Sequence, residues 1–372
     1  MKFSLQIKAR VIFEKDCLFV HKAEFKKLGK RALVITGKTS GTRSGVLQAL
    51  ESVFRETNID HLVFDAVENN PTLENVATGG DVAKGFGADF VVGVGGGSPL
   101  DASKAIAVLA TNDIPPLALY DNAFANQPLP VVAIPTTAGT GSEVTPYAIL
   151  TRKDMQTKMS FGNEDTVPKI AFLDATYLES LPAEVAVHTA VDAFSHALEG
   201  YLNTRSTVAS DIFAVQAIRI FGECLPHIQN ANFSFEVREK LLYMSMLAGI
   251  VITHTGTTSA HSMGYSLTYF KGIPHGKATG LLLGEYLRRI YDAAQEKIDG
   301  VLKILGMVGI DSFIKCMSGL LPCKDQFTDE EFALYASLAA KQKNIRVNPL
   351  PLRECDLKEI LERSFSPNRF HR

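Results

Sequence analysis

A carboxylate and an imidazole lie four residues apart in a segment with the composition of a helix. Asp192 and His196 belong to residues 189–201, which contain good helix formers, no proline, and a glycine only near the end. Two residues spaced by four share one helix face, one turn apart, so both side chains can reach one divalent cation. An ion pair or a solvated helix face has the same spacing, and the pattern alone leaves these alternatives open.

Two imidazoles further along the chain extend this pattern to a possible ligand set. His261 lies in a run rich in Gly, Ser and Thr at residues 255–265, and His275 directly follows a proline. Imidazole and carboxylate ligands together suit Fe²⁺ or Zn²⁺. We predict that one metal ion is held by Asp192, His196, His261 and His275.

Three successive glycines stand between an apolar segment and a helical one. Residues 95–97 follow a β-branched run at 90–94, and Ser98 is followed by Pro99 and Asp101 in a pattern that resembles a helix capping box. Glycines let a ligand approach the backbone, and free amides at a helix start bind anions such as a pyrophosphate. The pattern is not GxGxxG, and a strand-to-helix turn without a ligand is the alternative.

A second loop of small and hydroxylated residues follows the next apolar run. Its sequence, TTAGTGSEVT at 136–145, comes directly after the predicted strand at 131–135. Such a loop can wrap a phosphate or a nicotinamide amide, although an ordinary loop between a strand and a helix has the same composition.

Strand and helix patterns alternate through the first half of the chain, which predicts a parallel sheet covered on both faces. β-branched runs lie at 31–37, 61–65, 90–94 and 131–135, and helical periodicity lies at 45–56, 70–84 and 98–109. Short strands are also expected at 3–7, 11–13 and 17–20, with edges that can pair with another subunit. From residue 183 onward the periodicity is helical, mainly at 183–201, 207–229, 234–251 and 280–307, so we place a domain boundary at residue 182.

Composition bounds the class of protein. The 372 residues are 46% hydrophobic and 21% charged with a formal net charge of −2, which gives no argument for a nucleic-acid or membrane partner. We expect neither a signal peptide nor a segment long and apolar enough to span a bilayer. The five cysteines form no CxxC pair, so we expect reduced thiols in a cytoplasmic protein.

Four segments together resemble the iron-containing (group III) alcohol dehydrogenase family. They are GGGSPLDASKA at 95–105, PTTAGTGSEVTP at 135–146, DAFSHALEGY at 192–201 and HSMGYSLTYFKGIPHG at 261–276. They follow the order and spacing of that family over nearly the whole chain. The resemblance implies the architecture shared with dehydroquinate synthase: an α/β Rossmann-like dinucleotide-binding domain at 1–182 and an all-α domain at 183–372, with metal and substrate in a cleft between them.

Carried over position by position, the resemblance implies residues for both sites. The four predicted metal ligands match those of the family, which favours Fe²⁺ over Zn²⁺. The residues that match the family's cofactor contacts are Gly96, Gly97, Ser98 and Asp101 for the pyrophosphate and ribose, Thr136, Thr137, Thr140 and Thr145 in the second loop, Asn70 near the adenosine end, and Lys158 at the ribose or phosphate.

One departure from the family bears on the choice of cofactor. Many NAD-using members carry an Asp at the end of the first Rossmann-like strand, where it binds the ribose 2′-hydroxyl. This chain has Gly37 there, followed by Lys38, Ser40 and Arg43. Without the carboxylate a 2′-phosphate is not repelled, and the cations and hydroxyls that follow can bind it. We therefore predict that NADP(H) is preferred over NAD(H).

A second departure concerns proton transfer. Many members carry another His four residues after the third metal ligand, near the substrate, and this chain has Tyr265 there. A relay through that His does not carry over. Tyr265 either takes part or packs, and the same choice is open for His254, which precedes His261 by seven residues.

The resemblance implies a metal-dependent oxidoreductase that transfers a hydride between NADP(H) and a small primary alcohol or diol, or its aldehyde. The metal acts as a Lewis acid that stabilises the alkoxide. We expect a homodimer. A lyase resembling 3-dehydroquinate synthase is one alternative, but it needs several basic residues near the metal, and residues 250–276 offer only Lys271. A non-catalytic binding protein is another, and it predicts the loss of a ligand or of the glycine turn.

Overall fold

The computed structural model describes residues 2–365, which form two compact units. Residues 6–182 make up the α/β unit, and residues 183–365, with residues 2–5, make up the helical unit. The strands are β1 (Arg10–Phe13), β2 (Arg31–Gly37), β3 (Asp60–Val67), β4 (Phe90–Gly95), β5 (Val131–Pro135), β6 (Ala148–Arg152), β7 (Thr157–Phe161) and β8 (Ile170–Leu173).

The helices of the α/β unit are α1 (Cys17–Val20), α2 (Ala23–Lys26), α3 (Ser40–Arg43), α4 (Val46–Thr57), α5 (Leu73–Phe86) and α6 (Gly97–Thr111). Those of the helical unit are α7 (Ala183–Leu202), α8 (Val208–Gln229), α9 (Phe235–Thr255), α10 (Ser259–Lys271), α11 (His275–Ile304), α12 (Ile310–Leu320), α13 (Asp329–Ala340) and α14 (Glu354–Phe365). Within the described residues, every helix is too short or too polar to cross a membrane.

Six parallel strands form one sheet in the order β1-β8-β5-β4-β2-β3. Alternate side chains of β2 enter different cores: Ala32 and Val34 pack with α1 and α4, whereas Leu33 and Ile35 pack with α5 and α6. The sheet is therefore covered on both faces. The predicted fold class, a parallel α/β unit followed by an all-helical one, is confirmed.

The strand order reverses beside β2. The chain leaves β2 to form β3 on one side of it, and then crosses back to form β4 on the other side. In open parallel sheets the carboxyl ends of the two strands at such a reversal flank a crevice where ligands bind. Here those ends are Gly37 and Gly95, the two glycines around which the predicted cofactor residues are grouped.

The N-terminal strand predictions are partly wrong. Residues 11–13 do lie in β1, but residues 2–8 are irregular, and Phe3 and Ile7 are 55% and 45% exposed. Alternation makes a strand only where a neighbouring strand pairs with it, and no described strand pairs with residues 3–7. Residues 17–20 form α1, in which Cys17 and Leu18 are buried; so short an apolar run cannot be told from a strand by pattern alone.

Two features of the α/β unit carry no clear sequence signal. Strands β6 and β7 form an antiparallel hairpin that stands outside the main sheet. Strand β8 pairs with β1 and β5 inside that sheet. The hairpin matters for the site because its second strand carries Lys158.

Candidate functional site

Three helices of the helical unit bring predicted metal ligands together. Asp192 lies on α7, His261 in the first turn of α10, and His275 is the first residue of α11. Their ligand atoms lie within 4.8 Å of one another, with His261 Nε2 3.8 Å and His275 Nε2 3.9 Å from Asp192 Oδ1. Atoms bound to one ion at about 2 Å stand about 3–4 Å apart. The three groups therefore have the spacing of a ligand set.

His196 lies next to this cluster, although the cluster found among the described residues does not include it. It is buried on α7, one turn beyond Asp192. Its ring stacks on that of His261, with the ring centroids 4.5 Å apart and the planes at 22°. Its place as a fourth ligand remains a prediction.

Asp192 provides the test of whether a cation fits here. The residue is 3% exposed, and its Oδ1 is buried without a hydrogen-bond partner among the described residues. An ionised carboxylate oxygen is costly to bury without a partner. A divalent ion between Oδ1 and the two imidazole nitrogens removes that cost, so the donor set and its surroundings fit the predicted metal.

A glycine sets the approach of α11 to α7. A Cβ atom on Gly276 would lie 2.0 Å from the backbone oxygen of His188 and 2.8 Å from Cβ of Asp192. Any side chain at this position would push the start of α11 away from α7. Because His275 is the preceding residue, Gly276 fixes how close that imidazole comes to Asp192. His188 is itself buried, and burial lowers its pKa.

Glu199 belongs to this centre, although its sequence context did not distinguish it from a surface residue. It is fully buried on α7, and its carboxylate accepts hydrogen bonds from His261 Nδ1 and from the backbone N–H of Thr258. Burial opposes ionisation, but the interaction with His261 and the donated hydrogen bonds prevail, and the pKa of Glu199 is lowered. Its spacing of seven from Asp192 and three from His196 places all three on one helix face, a signal that the sequence does contain.

Tyr265 and His254 differ in burial and in the contacts described for them. Tyr265 is buried on α10, one turn after His261, and its ring stacks on that of His275 with the centroids 5.6 Å apart. It packs against a predicted ligand. His254 lies in the last turn of α9 and is half-buried.

The glycine turn of the α/β unit lies against the second polar loop. A Cβ on Gly96 would lie 3.1 Å from Thr137 Oγ1, and one on Gly97 would lie 2.7 Å from Thr140 Cγ2. The two loops are further joined by a hydrogen bond from Thr136 N to Gly95 O, 2.9 Å long. Glycines at these positions allow the two loops to approach each other closely. The loops follow β4 and β5, which are parallel neighbours in the same sheet.

The predicted capping box is wrong. Helix α6 begins at Gly97 with Gly96 as its N-cap, and no side chain caps it. Instead of capping the helix, the carboxylate of Asp101 accepts hydrogen bonds from Ser142 Oγ at 2.6 Å and Ile149 N at 2.9 Å. The N-cap Gly96 provides no side-chain cap for this 15-residue helix, and an uncapped helix start is the arrangement that binds anions.

Asn70, Ser98 and Lys158 meet at one side of this turn. Lys158 Nζ donates to Asn70 Oδ1 at 2.9 Å, and Asn70 N donates to Ser98 Oγ at 3.2 Å. Asn70 has a left-handed backbone with φ of 60°. Three predicted cofactor residues from distant parts of the chain are thus in contact.

Ser40 stands between the ends of β2 and β4. Its Oγ lies 3.2 Å from Thr36 Oγ1, and 3.3 Å from where a Cβ would be on either Gly37 or Gly95. Lys38 is exposed beside it. Arg43 donates instead to the backbone oxygen of Ser180 at 3.4 Å.

A buried ionic cluster that sequence reasoning missed lies below the second loop. Lys104 is completely buried, and its Nζ donates to Ser142 Oγ and Tyr147 O, both at 2.7 Å, and to Thr145 Oγ1 at 3.4 Å. Burial lowers the pKa of Lys104 to about 8 and raises that of Glu143 to about 7. The lysine ties α6 to the loop that follows β5. Lys104 belongs to the segment GGGSPLDASKA at 95–105, but the sequence does not show that this lysine is buried.

Comparison with known proteins covers both units. Residues 8–175 match the family model "Iron-containing alcohol dehydrogenase", and residues 186–365 match "Fe-containing alcohol dehydrogenase family, C-terminal". A 1,3-propanediol dehydrogenase of Klebsiella pneumoniae is 30% identical over 358 residues, which span 91% of this chain and 92% of that protein. The crystal structure of an iron-containing alcohol dehydrogenase from Thermotoga maritima is 39% identical, with a TM-score of 0.92 over 98% of this chain and 99% of that one.

Two further relatives are named for different cofactors. An NADPH-dependent butanol dehydrogenase of Clostridium saccharobutylicum is 28% identical over 78% of this chain and 77% of its own length. An NAD-dependent methanol dehydrogenase of Bacillus methanolicus is 31% identical over 76% of this chain and 74% of its own. Together with the two family models, these matches show that the chain is an enzyme and belongs to the iron-containing alcohol dehydrogenase family.

Proposed function

We propose that this protein is a metal-dependent oxidoreductase that transfers a hydride between NADP(H) and a small primary alcohol or diol, or the corresponding aldehyde. The observation that carries the proposal is the buried Asp192 Oδ1, which has no hydrogen-bond partner within residues 2–365 and lies within 4 Å of an imidazole nitrogen of both His261 and His275. The relatives named as dehydrogenases of 1,3-propanediol and butanol support the choice of substrate class.

The helical unit is proposed to hold the metal and the substrate. Asp192, His196, His261 and His275 are the ligands, and the ion is Fe²⁺, with Zn²⁺ also compatible with this donor set. When bound, the ion supplies Lewis acidity toward the substrate oxygen. Tyr265 holds the ring of His275 by stacking on it, and Gly276 keeps the start of α11 against α7.

The α/β unit is proposed to bind the dinucleotide at the carboxyl edge of its sheet. The backbone amides at Gly96, Gly97 and Ser98 receive the pyrophosphate, because the N-cap of the helix that begins there is a glycine without a capping side chain. The other proposed contacts are Gly37, Lys38, Ser40, Asn70, Asp101, Thr136, Thr137, Thr140, Thr145 and Lys158.

NADP(H) is proposed as the preferred cofactor. Gly37 contributes no carboxylate where a ribose 2′-phosphate would lie, and the next residue, Lys38, is exposed and carries a positive charge. Ser40 offers a hydroxyl at the same strand end. Arg43, which the sequence also suggested, is left out because it donates to Ser180 O.

The test is a comparison of metal content and activity in one preparation. Protein purified without air is assayed for bound metals and for absorbance at 340 nm with butanol or 1,3-propanediol, using NADP⁺ and NAD⁺ in parallel. We expect turnover that chelation abolishes, that Fe²⁺ restores, and that favours NADP⁺. Turnover of a phosphorylated heptulosonate, with none for any alcohol, would instead support the lyase related to 3-dehydroquinate synthase.

A homodimer in the cytoplasm completes the proposal. Phe3, Leu5 and Ile7 are exposed apolar residues on an irregular segment, and they alternate as in a strand that pairs with another chain. All five cysteines are free thiols, as in proteins of reducing compartments. Sedimentation velocity of the full chain and of a Phe3→Ser, Leu5→Ser, Ile7→Ser variant tests the dimer, which the variant should weaken.

A further inference from the structure

We propose that Glu199 is a positioning residue that sets the orientation and the tautomer of His261, and through them the affinity of the helical unit for a divalent metal. The inference rests on the proposed function, because it takes His261 to be a metal ligand. Its evidence is independent, since it consists of the contacts that Glu199 makes from the neighbouring helix.

One carboxylate oxygen of Glu199 fixes the start of α10. Oε1 accepts hydrogen bonds from Thr258 N at 3.0 Å, Thr258 Oγ1 at 2.5 Å and His261 N at 3.3 Å. Thr258 is the N-cap of α10, but its own side chain makes no capping hydrogen bond. Glu199 therefore caps α10 from α7 and satisfies two of the backbone amides that a helix start leaves free.

The other oxygen fixes the ring in the same turn. Oε2 accepts a hydrogen bond from His261 Nδ1. An ionised carboxylate can only accept, so this contact requires the proton on Nδ1 and leaves the lone pair on Nε2. That nitrogen lies 3.8 Å from Asp192 Oδ1. The Glu199 side chain thus holds both the backbone and the imidazole of His261, and it leaves Nε2 of His261 near the other predicted ligand atoms.

Helix α7 also carries Asp192, which lies on the other side of the His261 ring. Asp192 and Glu199 both belong to α7, two turns apart, and His261 lies between their carboxylates. Because the two groups share one rigid element, Glu199 fixes the distance from His261 to Asp192 rather than merely stabilising a loop. When a group that accepts a hydrogen bond from the second ring nitrogen of a ligand His is removed, metal affinity typically falls by about 10- to 100-fold.

The chain offers a matched control for the capping role. Asn348 holds the same helix start from another side: its Nδ2 donates to Ser259 Oγ at 2.5 Å, and its Oδ1 accepts from Ser259 N at 3.3 Å. Both of these hydrogen bonds are made to Ser259, two residues before His261. An Asn348→Ala variant therefore loosens the first turn of α10 while it leaves the hydrogen bond from Nδ1 to Glu199 in place.

The test measures metal binding and tautomer without reference to turnover. In Glu199→Gln, the amide oxygen can still accept from Thr258 N, but the amide N–H₂ then faces Nδ1 and favours the proton on Nε2, the nitrogen needed by the metal. We expect Co²⁺ affinity, measured by chelator competition on the metal-free protein, to fall by about 10- to 100-fold. Asn348→Ala should change it much less. Selective ¹⁵N-histidine spectra of the metal-free protein should show His261 protonated on Nδ1 in the wild type and on Nε2 in Glu199→Gln.

Several results would overturn the inference, and they differ from a failure of the proposed function. Equal Co²⁺ affinity in the wild type and Glu199→Gln, or an equal loss in Asn348→Ala, would reduce Glu199 to a structural cap. If Glu199→Gln does not fold, the wild-type spectrum decides, and a proton on Nε2 of His261 would refute the assignment. A wild-type protein that binds no divalent metal would instead end the proposed function, and the role of Glu199 with it.

Discussion

The two candidate sites of this protein are built in opposite ways. The proposed metal centre of the helical unit consists of side chains: Asp192, His261 and His275 on α7, α10 and α11, with the predicted fourth ligand His196 next to them and Glu199 hydrogen-bonded to His261. The proposed nucleotide site lies at the carboxyl edge of the sheet in the α/β unit, and we call it the nucleotide edge. It depends on the absence of side chains, because a Cβ on Gly96 or Gly97 would crowd Thr137 or Thr140. The first site is damaged when an atom is removed, and the second when one is added.

A buried glutamate lies in or beside each site, and the two glutamates differ in their hydrogen bonds and in the direction of their pKa shifts. Glu199 and Glu143 are both almost completely buried. Glu199 accepts hydrogen bonds from two neighbouring residues, and its pKa is lowered; Glu143 has an Oε1 without a hydrogen-bond partner among the described residues, and burial raises its pKa to about 7. Burial alone does not decide the charge of a carboxyl group. Hydrogen-bond donors and neighbouring charges also contribute, and around Glu199 they outweigh the effect of burial.

Removing a ligand should have the largest effect. His261→Ala deletes the imidazole whose Nε2 lies 3.8 Å from Asp192 Oδ1. We expect metal affinity to fall by more than about 100-fold, beyond the loss typical for a group that only supports a ligand. Turnover should be lost with it, while NADP⁺ still binds. Metal analysis and calorimetric titration with NADP⁺ measure the two properties separately.

The matched control for this variant is His227→Ala, which removes an exposed imidazole from the last turn of α8. It should retain metal and activity. Wild-type metal content in His261→Ala would show that His261 is not a ligand.

Adding one methyl group should break the nucleotide edge and spare the metal centre. In Gly97→Ala the new Cβ would lie 2.7 Å from Thr140 Cγ2, so the glycine turn and the second loop must separate. Overpacking of this kind costs about 1–3 kcal/mol, so we expect the Kd for NADP⁺ to rise by about 10- to 100-fold. Calorimetry measures the Kd, and metal content should not change.

A compensating variant sharpens this test. Thr140→Ser removes the methyl group that Gly97→Ala would meet, so the double variant should recover part of the lost affinity. Gly85→Ala is the control, because a Cβ there meets nothing within 4 Å. Unchanged NADP⁺ affinity in Gly97→Ala would mean that the turn does not hold the dinucleotide.

Adding a charge to the same edge should change selectivity rather than affinity overall. Gly37→Asp places a carboxylate where the nearest atoms to a new Cβ are Ser40 Oγ at 3.3 Å and Val67 O at 3.5 Å, so the substitution can be accommodated. Repulsion of a 2′-phosphate should shift the ratio of kcat/KM for NAD⁺ to that for NADP⁺ by about tenfold, or 1.4 kcal/mol, toward NAD⁺. Gly37→Asn, which is equal in size but uncharged, should shift it less. An unchanged ratio would show that the 2′-phosphate does not lie at this strand end.

The contrast between the sites also explains what the sequence could predict. Asp192 and His196 could be proposed as ligands because residue type and helical spacing are both local properties, and the parallel sheet was predicted correctly because β-branched runs recur at regular intervals. The capping by Glu199 was not found, because it depends on where α10 begins, about sixty residues away along the chain.

The α/β unit shows the same limit. Asp101 fits a local capping pattern, but its partner Ile149 belongs to a hairpin that no pattern indicated. Lys104 fits an exposed helix position by type, and only the fold shows that it is buried below the second loop. Long-range partners decided these cases, and a local pattern carries no information about them.

The smallest effect on function, confined to stability, is expected at Glu143. Its pKa of about 7 lies above the ordinary value of 4.5, so the folded protein keeps a proton that the unfolded chain releases. The stability due to this group is therefore complete below about pH 4.5 and is lost as the pH rises through about 7. Glu143→Gln has no such proton to lose. Relative to the wild type, its free energy of unfolding should improve by about 2 kcal/mol between pH 5 and pH 7.5, which urea titrations at the two values measure. The range stops below pH 8 because Lys104, with a pKa of about 8, begins to titrate there. An equal difference between the two proteins at both pH values would mean that Glu143 is ionised in the folded state.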